Sequence, residues 1–179
     1  MNLRYILDSH PDSPCEAIEL FEVDIHRVEN NQLTLDYHIK GAIPELNLPP
    51  AKRPIRAHEL WLHSCFELFI GLPASTAYTE FNFAPSMAWA AYQFDSYREG
   101  MREAADISSP HMESHRSDSS YQLHVVLQLA ALPRHLTWQL GISAVIEETR
   151  GHQSFWALAH PSGQPDFHHS DGFACTLTP

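Results

Sequence analysis

The chain has 179 residues, enough for one domain with a sizeable core, and a content of 44% hydrophobic and 18% charged residues excludes wholesale disorder. With 11 Lys and Arg against 22 Asp and Glu, the formal charge is −11, a field that opposes phosphate backbones and anionic lipid. Nucleic acid and membrane surfaces are therefore not expected partners, and the 13 histidines can each change charge near neutral pH.

The opening MNLRYILDSHPDSP lacks the apolar centre of a signal peptide, and no later stretch approaches the roughly 20 apolar residues that cross a bilayer, so a cytoplasmic protein is expected. Cys15, Cys65 and Cys175 have no CxxC spacing, and their odd number suits free, buried thiols in a reducing compartment.

From Ile18 to Ile39 apolar residues alternate with polar ones, Phe21, Val23 and Ile25 and then Leu33, Leu35 and Tyr37, which predicts two strands joined as a hairpin at Glu29, Asn30 and Asn31. The prolines of Ile43 to Arg56 predict a connecting loop. A strand is expected from Leu60 to Ile70, with Leu60, Leu62, Phe66, Leu68 and Ile70 facing the core and Trp61, His63, Cys65, Glu67 and Phe69 facing away. After a turn at Gly71 to Ala77, YTEFNFA sends Phe81 and Phe83 inward and Tyr78, Glu80 and Asn82 outward.

The run MAWAAYQFD reads as a strand, and YREGMREAADI as a short helical or irregular excursion despite Gly100. The polar stretch Ser108 to Ser120 leads into a strand with Tyr121, Leu123, Val125 and Leu127 on one side. Another strand runs from Trp138 to about Glu147 and a short one from Ser154 to Leu158, before the loop His160 to Gly172 and a terminal FACTLT. Some eight or nine strands without β-helix-β alternation predict an all-β fold, an antiparallel β-sandwich of jelly-roll-like type, as a single domain over residues 1–179.

The residues turned away from the core include Trp61, His63, Glu67, Glu80, Asn82, Asp36, His38, Gln122, His124, Gln128, Gln139 and Ser143. A solvated sheet face favours Lys, Glu and Thr, whereas amides, carboxylates and imidazoles beside an aromatic ring suit a polyhydroxylated or planar ligand. An ordinary wet face is the competing reading. Glu67 and Glu80 come close if their strands pair, and such a pair could serve glycoside hydrolysis, although hydrogen-bond acceptance is the commoner role.

His160, Asp166, His168, His169 and Asp171 are metal-ligand types without helical HExxH or zinc-finger spacing, and imidazoles satisfied by loop backbone are the expected alternative. His38, His63, His124, Met87 and His169 are the haem-ligand types, with no spacing that selects a pair and no CxxCH motif. Cys65 has His63 two residues away, but adjacency along a strand does not aim an imidazole at a thiol. No cofactor is expected on these grounds, with haem and a divalent metal as rivals.

The segments ELWLHSCFELFIG (Glu59 to Gly71), YTEFNFAPSMAWAAYQFDSYREGM (Tyr78 to Met101) and FWALAHPSGQPDFHHSDGF (Phe155 to Phe173) resemble the DOMON-like domains of the MurB-like group and, more distantly, the family 9 carbohydrate-binding modules. The resemblance implies a sandwich that binds sugars or haem on one side of a sheet. It assigns contacts to Trp61, Glu67, Glu80, His168 and His169, with Trp156 as a second ring. It also implies that the His168 and His169 loop closes over Trp61 and Glu80. The expected function is non-catalytic binding of a small ligand, a carbohydrate or sugar derivative. A haem or metal carrier, a hydrolase and a protein-interaction sandwich are the alternatives. The sequence leaves the oligomeric state undetermined.

Overall fold

The computed structural model describes residues 2–28, 31–130, 132, 133 and 135–179. The chain forms β1 (Asn2–Ile6), β2 (Asp8–Ser9), β3 (Ile18–Val28), β4 (Gln32–Gly41), β5 (Ile55–Arg56), β6 (Cys65–Gly71), β7 (Tyr78–Phe83) and β8 (Ala88–Phe94) in its first half. There follow β9 (Arg102–Glu103), β10 (His111–Arg116), β11 (Ser120–Gln128), β12 (Trp138–Glu147), β13 (Gln153–Ala157) and β14 (Cys175–Leu177). Three short 3-10 turns are the helical elements among the described residues.

The strands make two sheets, ordered β1-β3-β4-β11-β10 and β2-β13-β12-β6-β7-β8-β5, with β9 on β8 and β14 on β12. Every pairing is antiparallel except the two-residue contact of β5 with β8. The fold is an all-β sandwich.

Period-two patterning places one apolar row from each sheet in the space between them. Phe21, Val23, Leu35, Tyr37, Leu123 and Val125 come from the smaller sheet and meet Phe66, Leu68, Phe81, Phe83, Leu140 and Ile142 from the larger, all of them buried. In the β3–β4 pairing the register shifts between Ile18 and Leu20, opposite Gly41 and Lys40. Gly41 has φ +149°, and a Cβ there would lie 2.1 Å from the Ala17 carbonyl oxygen, so this corner requires glycine. The predicted hairpin forms as β3 and β4, with Asn31 left-handed at φ 57°; its other two turn residues, Glu29 and Asn30, lie outside the described residues.

Three sequence expectations are corrected. The strand expected from Leu60 begins at Cys65, because Glu59 is left-handed at φ 57° and turns Leu60–Leu62 into a 3-10 turn that leaves Leu62 exposed. The excursion Tyr97 to Ile107 contains no helix: Asp95 N–H bonds to the Glu99 carbonyl across a tight turn, and β9 then pairs with β8. The polar stretch before β11 contains β10, an edge strand whose pairing with β11 satisfies its backbone although only Met112 is buried. In addition, the N-terminal residues form β1 against β3.

Cys15, Cys65 and Cys175 are free and buried. Burial raises the pKa of each thiol, of Cys65 most strongly, which disfavours the reactive thiolate. A thiol reagent is expected to find three groups in the unfolded, unreduced protein and close to none in the native state within minutes. A count of one after unfolding would mean a disulfide had formed.

Candidate functional site

The larger sheet is apolar on both faces. Its outer face carries a second cluster of Phe69, Tyr78, Ala90, Tyr92 and Phe94, against which Leu60, Trp61, Phe167 and Phe173 pack. Consequently β6 is buried along its whole length, and Glu67, Glu80 and Asn82, predicted to line a polar face, are 3%, 4% and 0% exposed. The segment 160–173 crosses this face, and it can sit close because a Cβ at Gly141 would already be 3.4 Å from both the Gly172 carbonyl and the Phe69 Cβ.

Between that segment and the sheet lies a cavity of ≈ 340 Å³. Trp61, Glu67, Glu80 and His168 line it, and so do Phe94, Arg98, Phe155 and Phe167. Of the eight residues expected at a site, these four are brought together. Asn82 stands behind them, opposite Glu67 in the β6–β7 register.

The other three are placed elsewhere. His63 points away from the cavity, 74% exposed, with Nδ1 2.9 Å from a Glu147 carboxylate oxygen, because the strand alternation assumed for it does not extend past Cys65. Trp156 faces the core between the sheets: it is 6% exposed, lies 5.6 Å from the Phe21 ring and donates its indole N–H to Ser154 Oγ. Phe155, its neighbour on β13, has the opposite parity and supplies the ring at the cavity. His169 lies beyond the partition made by His168, where its Nδ1 accepts a hydrogen bond from the Asp171 N–H at the turn Ser170–Gly172. There it borders a second cavity of ≈ 620 Å³. Trp61 and Glu80 thus share a cavity with His168, and His169 does not join them.

The remaining polar residues predicted to face away from the core divide between two surfaces. Ser143 stands behind the cavity wall, bonded to Glu67, and Gln139 lines the second cavity, whereas Asp36, His38, Gln122, His124 and Gln128 belong to β4 and β11 of the other sheet. There His124 Nδ1 lies 2.6 Å from an Asp36 carboxylate oxygen, and His38 is 3.5 Å from Asp24.

Within the cavity the polar groups are specifically held. Ser143 donates to Glu67 Oε2 at 3.2 Å, and Asn82 donates to Glu80 Oε1 at 2.7 Å. Arg98 is left-handed at φ 56°, an uncommon state for this residue type, and from that turn it does two things. Its backbone N–H donates to the Tyr78 hydroxyl, and its guanidinium donates to Asp166 at 2.8 Å. The other Asp166 oxygen accepts from the Tyr97 hydroxyl at 2.5 Å. Tyr78 Oη is also 2.7 Å from His168 Nδ1, whose Nε2 lies 3.7 Å from Glu80 Oε2. A carboxyl group on the Nε2 side favours the proton there, leaving Nδ1 to accept from Tyr78.

Burial sets the protonation states. Loss of solvent, with the nearby charge of Glu80, holds the Glu67 carboxyl well above the ordinary carboxylate range, against the pull of Ser143 and Arg98. Burial likewise pushes Glu80 up to about 7, with Asn82 and Arg98 opposing. His168 is pushed down to about 4 by burial and by the Arg98 charge, with Asp166 opposing. At Asp166 burial is outweighed by the bonds from Tyr97 and Arg98, and its pKa falls. Between pH 4 and 7 the wall therefore presents protonated carboxyl groups beside a neutral imidazole, while Arg98 and Asp166 form the charged pair.

Among the described residues no group of three or more His, Cys, Asp and Glu is placed to hold a metal ion. Of the haem-ligand types, His38 and His124 lie against carboxylates on the far sheet and Met87 is buried in the core, so the haem set is dispersed.

No family model matches the chain, and no curated protein does. Among solved structures it is similar to a Bacteroides uniformis protein described as a "putative carbohydrate-binding protein", with 16% identity and a TM-score of 0.65, over 98% of this chain and 85% of that one. The shared property is the fold. At this distance the likeness is one of fold alone, and it does not single out the DOMON-like group.

Proposed function

We propose that the cavity between the larger sheet and the segment 160–173 binds a small polyhydroxylated ligand, a carbohydrate or sugar derivative, without transforming it. The observation that carries this reading is the meeting of four aromatic rings with two buried carboxyl groups in one cavity. Rings stack on the apolar faces of sugars. Protonated Glu67 can donate and Glu80 can exchange hydrogen bonds with hydroxyl groups, each carboxyl group held from behind by Ser143 or Asn82. Its volume of ≈ 340 Å³ falls at the small end of the roughly 300–1,000 Å³ range of small-molecule sites. The fold of the carbohydrate-binding neighbour is consistent with such a ligand.

Binding without turnover fits the position of the carboxyl groups. Glu67 and Glu80 stand diagonally on adjacent strands of one wall, with Glu67 opposite Asn82 and Glu80 opposite Phe69, two residues along β6. A glycosidase pair flanks the scissile bond from its two sides, one group as acid and the other as base or nucleophile.

Calorimetric titration with a panel of mono- and disaccharides tests the proposal. At least one sugar is expected to bind wild-type protein, and Trp61→Ala is expected to weaken that sugar at least tenfold. Trp61 is only half buried and meets Tyr92 edge-on at 5.8 Å, so its removal is expected to cost roughly 1–2 kcal/mol of stability. Unchanged sugar affinity in a folded Trp61→Ala variant would remove the ligand from this cavity.

A further inference from the structure

Resting on that reading, we infer that the ligand of this cavity carries a protonated amine, as an amino sugar does, and that the ammonium group is received by Glu67 and Glu80 together. Each carboxyl group spends one oxygen on the protein, Glu67 Oε2 on Ser143 and Glu80 Oε1 on Asn82. Glu67 Oε1 accepts no hydrogen bond among the described residues, and the nearest imidazole nitrogen to Glu80 Oε2 is His168 Nε2 at 3.7 Å, outside hydrogen-bond range. Two side chains more than nine-tenths buried thus offer free acceptors to the same space.

The cation already on the wall, Arg98, acts on both carboxyl groups through its charge but donates a hydrogen bond to neither among the described residues. Arg98 is committed to Asp166 at 2.8 Å, and Asp166 is itself filled by the Tyr97 hydroxyl and the His168 backbone N–H. Around the two carboxyl groups stand Trp61, Phe94, Phe155 and Phe167. Their negative ring faces attract a cation and offer a neutral hydroxyl no such gain. A neutral ligand that displaced water would leave both carboxyl groups still more desolvated, whereas an ammonium group supplies the counter-charge that lets them ionise. The chain's charge of −11 adds long-range attraction of the same sign.

Besides Glu67 and Glu80 themselves, the groups facing the pair are Tyr37 of β4, Cys65 of β6, Tyr78 and Asn82 of β7, Tyr92 of β8, Ser143 of β12, Arg98 of the turn after β8, and Asp166 and His168 of the covering segment. Of the pair and its neighbours, Glu67 and Glu80 are the ones that lose protons when a cation arrives near pH 6. Amine binding is therefore coupled to proton release.

Calorimetry at pH 6 in two buffers of different ionisation enthalpy, with glucosamine, glucose, N-acetylglucosamine and cyclohexylamine as probes, tests this. Glucosamine is expected to bind at least tenfold more tightly than the two uncharged sugars and to release about one proton. In a Glu67→Gln and Glu80→Gln double variant with an unchanged circular dichroism spectrum, that preference is expected to fall below twofold; if the variant does not fold, the wild-type comparison carries the test alone. Glucose binding as tightly as glucosamine, with no proton released, would overturn the inference and leave the carbohydrate reading standing. Cyclohexylamine binding with proton release while all three sugars fail would sustain the amine site and overturn the carbohydrate reading. Failure of all four probes would overturn both.

Discussion

Trp156→Ala is expected to destabilise the protein by about 3–5 kcal/mol while leaving ligand affinity within about twofold of wild type. The sequence offers Trp156 as a second ring of the site, but the structure packs it between the sheets, 6% exposed against Phe21, on the face opposite to Phe155. Truncation removes a large side chain from a close-packed interior and leaves both a cavity and a Ser154 hydroxyl without its indole donor. Urea melts beside ligand titration check this. A stable variant that no longer binds would return Trp156 to the site.

The second large effect is a pH dependence of stability made of two opposing parts. Glu80 is raised from about 4.5 to about 7, so the native state holds a proton that the unfolded chain has lost, and stability falls as pH rises between those values. Glu67 acts in the same direction. For Glu80 the fall integrates to about 3 kcal/mol, complete above pH 7. His168 is depressed from 6.5 to about 4, so the unfolded chain binds the extra proton, and stability falls on acidification through that window by a similar amount.

In wild-type protein the two parts oppose each other between about pH 4.5 and 6.5, and a loss remains above pH 6.5. His168→Gln is expected to expose the carboxyl part, with stability falling steadily from pH 4.5 to 7. The Glu67→Gln and Glu80→Gln double variant is expected to show the reverse slope from pH 4 to 6.5 and a plateau above it. Denaturant melts at five or six pH values distinguish the two. Identical profiles for both variants would contradict the protonation states assigned to the cavity.

The strands that build the sandwich were legible because one face of each is core: β3, β4 and β11 show clean alternation, and their inward residues are those the pattern selects. The pattern misled where something other than one buried face governs the chain. In LWLHSCFELFI the parity of Leu60 and Leu62 continues that of Phe66 and Leu68, but nothing in the alternation signals the left-handed Glu59 that ends the strand's reach. β10 carries one inward apolar residue, so its signal lies in backbone pairing, which leaves no mark in composition.

For the site, parity correctly put Glu67, Glu80 and Asn82 on one face, but it read that face as wet. The signal that could have corrected this is Phe69, Tyr78, Tyr92 and Phe94 sharing the face, too apolar a set to be left in water. Arg98 was missed because its role comes from a turn conformation. Phe155 was missed because the resemblance favoured the larger ring beside it, although the β12 register, Val145 opposite Phe155 and Ala144 opposite Trp156, separates the two.

The most direct test of the account is where a bound ligand is felt. The chain has 4 tryptophans, and one of them, Trp61, lines the cavity, while Trp89, Trp138 and Trp156 are buried among the core residues. In ¹⁵N-labelled protein titrated with the sugar of highest affinity, the Trp61 indole signal and the backbone amides of Glu80, Arg98, Phe167 and His168 are predicted to shift together, with the other three indoles still. Shifts confined to Asp36, His38 and His124 on the smaller sheet would contradict the account.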